Sequence, residues 1–295
     1  MADELSKRVA VAVAGIPLLG LVIYLGGWFL AALLAAIAAF GALELYRLAR
    51  HSGVEPFDRA GAAAAAAMVL TAATMSPSQA AQRSWNVLVV LLLVFLTMAV
   101  WLRGVKRRPL AAAAVTLVGA SFTGGTLAYA VWLRELPAAA ARVVLPPPDL
   151  SLAWQGTVLV GFPLLVTWLN DTLAYFVGRS IGRRKLLPGV SPAKTVEGAI
   201  AGLAAGVLVA ILLGRGILGP QIGIAASPLL WGIGGAIIAA TGQVGDLVES
   251  LLKREAQVKD SGTLLPGHGG ILDRFDALFF AIPVSYWFLR CLGLE

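Results

Sequence analysis

The sequence predicts an all-α membrane protein, a polytopic bundle of about nine transmembrane helices with a cytoplasmic N-terminus. Three observations predict it. Of 295 residues, 59% are apolar and only 13% are charged, and the mean hydropathy is +0.84. A soluble domain is nearer half apolar and a quarter charged. The apolar residues collect into segments of the roughly 20 residues needed to cross the hydrocarbon core. Finally, the basic residues alternate between the connections: rich in one, sparse in the next.

The segments fall at 8–25, 28–46, 59–77, 85–102, 110–133, 153–178, 196–214, 227–252 and 271–290. Lys7 and Arg8 ahead of the first resemble a signal peptide, but the many spans that follow make it an uncleaved first helix. The third is the weakest, because Ala60 and Ala62–Ala67 are only mildly hydrophobic. With the N-terminus inside, the inner connections hold Lys7 and Arg8; Arg47, Arg50 and Arg59; Arg103, Lys106, Arg107 and Arg108; Arg179, Arg183, Arg184, Lys185 and Lys194; and Lys253, Arg254 and Lys259. The outer ones hold only Arg83, Arg134, Arg142, Arg215 and Arg290. A wrong span count would scramble this alternation.

The same pattern explains the net charge of +7 and the isoelectric point of 9.9. The cationic loops lie against anionic headgroups. No basic stripe with interleaved aromatics is present, so nucleic acid is not the expected partner. The single cysteine, Cys291, excludes an intrachain disulfide and a cysteine-based metal site.

The two halves differ in their acids. Through the fifth span, Glu44 is the only one within a span. After an outer connection at 134–152, Asp171, Glu197, Asp246, Glu249, Asp273 and Asp276 all lie in spans or at their inner ends. Each buried charge costs about 2.5–3.5 kcal/mol on insertion scales, so a group of them should face water, one another or cations. The expected division is therefore a scaffold at 1–133 and a working half at 153–295, within one bundle. Gly198, Gly202 and Gly206 recur every fourth residue, a spacing that lets helices approach closely in lipid.

Within the working half, Asp246, Glu249, Ser250 and Lys253 share one helical face, and Asp273 shares another with Asp276. Hard carboxylate oxygens gathered from two such helices suit Mg2+; buried ion pairs with Lys253 and Arg274 would satisfy the same spacing. Between the helices run Lys259, Asp260, the Ser261-Gly262 turn and Pro266-Gly267-His268-Gly269-Gly270. Glycines there expose N–H groups to an anion, and His268 suits a ligand contact or a loop-packing role. The other inner side carries Asp171 within the sixth span, then Arg179, Gly182, Arg183, Arg184 and Lys185 in the loop, followed by Ser191, Pro192, Lys194, Thr195 and Glu197. Ser191 followed by Pro192 predicts a helix start, with Ser191 as N-cap and N–H groups aimed at a phosphate. No glycine-rich loop ending in Gly-Lys-Ser/Thr is present, which excludes a P-loop enzyme. These residues point to metal-dependent phosphate chemistry on the inner membrane face.

One stretch sharpens the expectation. Ser250, Leu252, Lys253 and Arg254, then Lys259, Asp260 and Gly262, then Leu265, Pro266, His268, Gly269, Gly270, Ile271, Asp273, Arg274, Phe275 and Asp276 resemble the signature of the phosphatidate cytidylyltransferases, or CDP-diacylglycerol synthases. Asp171-Thr172 through Gly178-Arg179, the Ser191–Gly198 segment and Gly245-Asp246-Leu247 are also similar to that family. The resemblance implies CTP and phosphatidic acid as substrates, CDP-diacylglycerol and pyrophosphate as products, and Mg2+, with more than one cation, as cofactor. It implies Asp246 and Asp273 as principal metal ligands, with Glu249 and Asp276 beside them. Lys253, Lys259 and Arg274 would contact phosphates, with Asp260 and His268 in the same loop. Asp171, Arg179, Ser191, Lys194, Thr195, Glu197, Gly269 and Gly270 would line the substrate cavity. The expected setting is a bacterial inner membrane among membrane lipids, with the site facing the cytoplasm and a homodimer left open. A CTP-dependent lipid kinase and an ion- or proton-coupled transporter are the competing expectations. Clustering of the acids at inner loops, and the lack of an inverted repeat, favour the enzyme over the transporter.

Overall fold

The computed structural model describes residues 15, 17–75, 80–102, 108–140, 152–264 and 269–294. Each apolar segment contains a helix. In chain order these are α1 (17–25), α2 (Gly27–His51), α3 (Asp58–Ala72), α4 (Ala80–Leu102), α5 (Pro109–Ala120), α6 (Thr126–Ala140), α7 (Leu152–Ile181), α8 (Val196–Leu213), the short α9 (Gly219–Ile222), α10 (Pro228–Glu255) and α11 (Leu272–Cys291). The wider π turns Ser121–Gly125 and Gly214–Leu218 carry α5 into α6 and α8 into α9 without a break.

Among the described residues, five helices are long and apolar enough to cross a membrane: Gly27–His51, Pro109–Pro137, Leu152–Ile181, Val196–Ile222 and Pro228–Glu255. The chain is an integral membrane protein. Large apolar side chains such as Trp28, Phe29, Leu208 and Leu212 stay exposed on these helices, as a lipid-facing surface requires. The alanine-rich third segment is short. Its helix has 15 residues and extends only about 22 Å at the α-helical rise. The connection at 103–107, and residues 141–151 of the expected outer connection, lie outside the described residues.

The chain forms two compact units. One comprises Met1–Trp132 with Leu252–Phe275; the other comprises Leu133–Leu251 with Asp276–Glu295. The signature stretch thus packs largely with the N-terminal helices. In the first unit, Tyr46 of α2 is fully buried and donates to Thr116 O at 2.7 Å. Its ring fills space left by Gly61 of α3 and Gly119 of α5. In the second unit, Phe162, Trp231 and Phe288 form an aromatic cluster, with ring centroids 5.8–6.5 Å apart. The expected glycine stripe is realised on α8. A side chain at Gly198 would meet Ala174 O at 2.6 Å, and one at Gly202 would meet Asn170 Oδ1 at 2.6 Å. Their absence lets α8 lie directly on α7.

Between α7 and α8 the backbone forms a small antiparallel hairpin, β1 (Lys185–Leu187) and β2 (Ser191–Thr195). Ser191 is therefore not a helix cap. The helix starts at Val196, and its cap is Thr195, whose hydroxyl accepts from Gly198 N at 3.2 Å. The cause is strand pairing: Lys185 lies opposite Thr195, and Val196 N donates to Arg184 O at 2.9 Å. Extended pairing already satisfies the backbone of 191–195, so the local Ser-Pro helix signal loses.

Candidate active site

The second unit contains a cavity of about 660 Å3, walled by α7, the hairpin, α8 and α10. Asp171 and Arg179 reach it from α7, Lys185 from β1, Lys194 and Thr195 from β2, and Asp246 from α10. Each has a local reason for its place. The hairpin is anchored by Glu197 in the first turn of α8, whose carboxylate accepts from Arg183 N at 3.1 Å and Arg184 N at 3.2 Å. The fully buried Asn170 donates to Asp171 Oδ1 at 2.8 Å and accepts from Gln243 Nε2 at 2.8 Å. Gln243 also donates to Ala199 O at 3.0 Å, so one polar chain crosses α7, α8 and α10. Lys194 pairs with Asp246 across the cavity.

Behind Asp246 lies a carboxylate cluster. Oxygens of Asp246, Glu249 and Asp276 lie within 4.8 Å of one another. Asp246 and Glu249 are one turn apart on α10. Asp276 comes from α11, which approaches because Gly245 carries no side chain to meet the Asp276 carbonyl oxygen. Three carboxylates this close repel strongly in a low-dielectric setting unless positive charge accompanies them. Lys194 supplies one such charge. The donor set is all hard oxygen, with no thiol or imidazole, and it fits a divalent cation of the Mg2+ or Ca2+ type.

Asp273 keeps different company in the first unit. Its Oδ1 accepts from Lys253 Nζ at 2.7 Å. Its Oδ2 accepts from Ser261 N at 3.0 Å, Ser261 Oγ at 2.9 Å and Gly270 N at 2.8 Å. Gly269 supports this turn with a left-handed φ of 80°. Of the two acids expected to share a face on α11, Asp276 therefore joins the α10 carboxylates, while Asp273 closes the loop and holds Lys253. Lys259 and Asp260 line a smaller cavity of about 320 Å3 with Arg47 and His51. Arg274 is exposed. His268 lies outside the described residues.

Two participants were given no site role from sequence. Gln243 precedes Asp246 by one helical turn, and its polarity within an apolar span was the available signal. Glu44, the lone acid of the first five spans, accepts from Ile271 N at 3.0 Å and Leu272 N at 2.9 Å. Its isolation in apolar sequence was the signal, although nothing local identified its partners.

A model of the cytidylyltransferase family matches residues 6–292. A phosphatidate cytidylyltransferase of Synechocystis sp. is 33% identical over 97% of this chain and 97% of its own length. One from Pseudomonas aeruginosa is 35% identical over 98% of each chain. One from Bacillus subtilis is 46% identical over 140 residues, covering 47% of this chain and 50% of its own.

Proposed function

The chain belongs to the cytidylyltransferase family, and from that premise we propose that it is a phosphatidate cytidylyltransferase, converting CTP and phosphatidic acid to CDP-diacylglycerol and pyrophosphate. In the reaction, a phosphate oxygen of phosphatidate attacks the α-phosphorus of CTP. The new O–P bond forms as the bond to the β-phosphate oxygen breaks, and pyrophosphate leaves with that electron pair. A phosphate monoester is mostly doubly ionised near neutral pH, its second pKa being about 6. The nucleophile thus needs no strong protein base. The barrier is mainly the approach of two anions and the charge gathering on the leaving group.

The observation that carries this reading is the position of Asp246, which belongs both to the carboxylate cluster and to the wall of the cationic cavity. Asp246, Glu249 and Asp276 would hold Mg2+, which when bound offsets charge on the transferring phosphates. Arg179, Lys185 and Lys194 orient CTP phosphates from the opposite wall. Asp171, fixed by Asn170, completes the polar surface beside Thr195. Lys253, steadied by Asp273, is assigned to the phosphatidate phosphate, with Lys259 and Arg274 as supporting cations. The proposed setting is a bacterial inner membrane with the site on the cytoplasmic side, where the basic connections lie and CTP is available.

Purified protein supplied with phosphatidic acid, Mg2+ and CTP labelled at the α-phosphate should yield labelled CDP-lipid and unlabelled pyrophosphate. Transfer of a γ-phosphate label to lipid would instead mean a kinase. Ion flux in proteoliposomes without CTP turnover would mean a transporter.

The hairpin arginines provide a contrast. The Arg184 side chain is 77% exposed, and its contact to Glu197 is long, at 3.4 Å. The backbone N–H groups that Glu197 accepts survive truncation of both side chains. Arg183→Ala/Arg184→Ala should change kcat/KM for CTP by less than about threefold, since exposed pairs contribute little. The check is steady-state kinetics on protein matched for membrane insertion.

A further inference from the structure

The N-terminal helices contain a carboxylate with no part in the chemistry above. Glu44 is 4% exposed on α2, within the first compact unit. Its Oε1 accepts from Ile271 N, and its Oε2 accepts from Leu272 N at the start of α11. The same Oε2 lies 3.0 Å from Ser261 Oγ, whose single hydrogen is shared between this oxygen and Asp273 Oδ2. Gly262 and Gly270 both face this carboxylate, and a side chain at either would collide with it. One buried acid thus ties together two separate parts of the signature stretch, Ser261-Gly262 on one side and Gly270–Leu272 on the other.

The contacts continue to Asp273. Ser261 Oγ lies between the carboxylates of Glu44 and Asp273, and Asp273 in turn holds Lys253. Glu44 also meets the unsatisfied N–H groups and positive dipole end of α11, which favour an anion there. A residue needed only to fill space on α2 would be apolar, because a carboxylate inside an apolar helix is costly and must be compensated. Among the described residues, the compensation comes from the stretch that carries the signature.

We propose that Glu44 is a positioning residue for cytidylyl transfer: its carboxylate clamps Ser261 and the first turn of α11, and so fixes the Asp273–Lys253 pair. This rests on the phosphatidate cytidylyltransferase reading above. In this role Glu44 acts through Ser261 and the α11 backbone rather than on the reacting groups. Within the first unit, α2 is then more than scaffold.

Glu44→Gln tests the clamp with little change in volume. The amide keeps an acceptor for Ile271 N but presents an NH2 to Leu272 N and Ser261. The expected result is a kcat at least about tenfold lower, with KM for CTP and phosphatidate within about threefold. Amide hydrogen exchange should rise by about tenfold or more at Ser261 and Gly270–Leu272, and stay unchanged in α7 and α8. Ser261→Ala keeps both backbone contacts of Glu44. It removes only the shared hydroxyl, and should lower kcat in the same direction by less.

Wild-type kcat and wild-type exchange in Glu44→Gln would overturn the proposal. So would a loss of activity that merely tracks the folded fraction, with kcat per folded molecule unchanged in both variants. Wild-type protein that forms no CDP-lipid would overturn the functional reading and the reaction part of this proposal together. The exchange measurement decides the clamp independently of that reading.

Discussion

Asp246→Asn should lower CDP-lipid formation by about a thousandfold or more while leaving the protein folded. Asp246 meets Lys194 at the cavity wall and Glu249 and Asp276 in the carboxylate cluster. The amide keeps the shape but removes a full negative charge from the point where the two sets join. A cation would then bind two carboxylates instead of three, and Lys194 would lose its carboxylate acceptor. Stability should change little: both side chains of the pair are about a third exposed or slightly less, and pairs of that exposure are worth about 1 kcal/mol or less. Steady-state assays with α-labelled CTP over a Mg2+ titration, with thermal unfolding in detergent as the folding control, make the check. Residual activity should need more Mg2+ than the wild type. Activity within tenfold of wild type at ordinary Mg2+ would remove Asp246 from the cation-binding role.

Asp273→Asn should lose at least about a hundredfold in activity, with a different accompaniment: the protein becomes less stable. The Lys253 and Asp273 side chains are 16% and 8% exposed, and the same carboxylate accepts from Ser261 and Gly270. Taking the charge from one partner of a largely buried, hydrogen-bonded pair costs roughly 2–4 kcal/mol. The thermal midpoint should fall clearly below those of the wild type and Asp246→Asn. Adding Lys253→Met should recover part of that stability, because the ammonium goes as well, and should recover no activity. If the double variant regained activity, Lys253 would have no place at the phosphate. If the single variant were as stable as wild type, the pair would not hold the loop.

Much of this was legible in order along the chain. Alternating basic connections and long apolar runs specify helices in a membrane, because hydrocarbon leaves the backbone only internal hydrogen bonds. The acids of the second half stood out because each is expensive in lipid. The spacing of Gly198, Gly202 and Gly206 announced a tight helix contact, since removing side chains from one face has few other structural uses. These are properties of composition and of the helical period, and they require no knowledge of partners.

What the period could not decide was which neighbour each side chain meets. Asp273 and Asp276 occupy one face of α11, and spacing treats them alike. The choice falls to Gly245, which admits the α11 backbone beside Asp276, and to Lys253, Ser261 and Gly270, which occupy the oxygens of Asp273. Ser191-Pro192 reads locally as a helix start, yet pairing of β2 with β1 moves the cap to Thr195, because backbone bonds made across the hairpin outweigh a side-chain preference. Glu44 is the extreme case, bonded to residues 217 and 228 positions away. The sequence by itself determined the membrane helices, the family and the residue types available for phosphate chemistry. Only the tertiary structure assigned each carboxylate its partners, because helical period fixes the face a residue occupies, and packing between distant helices selects what that face meets.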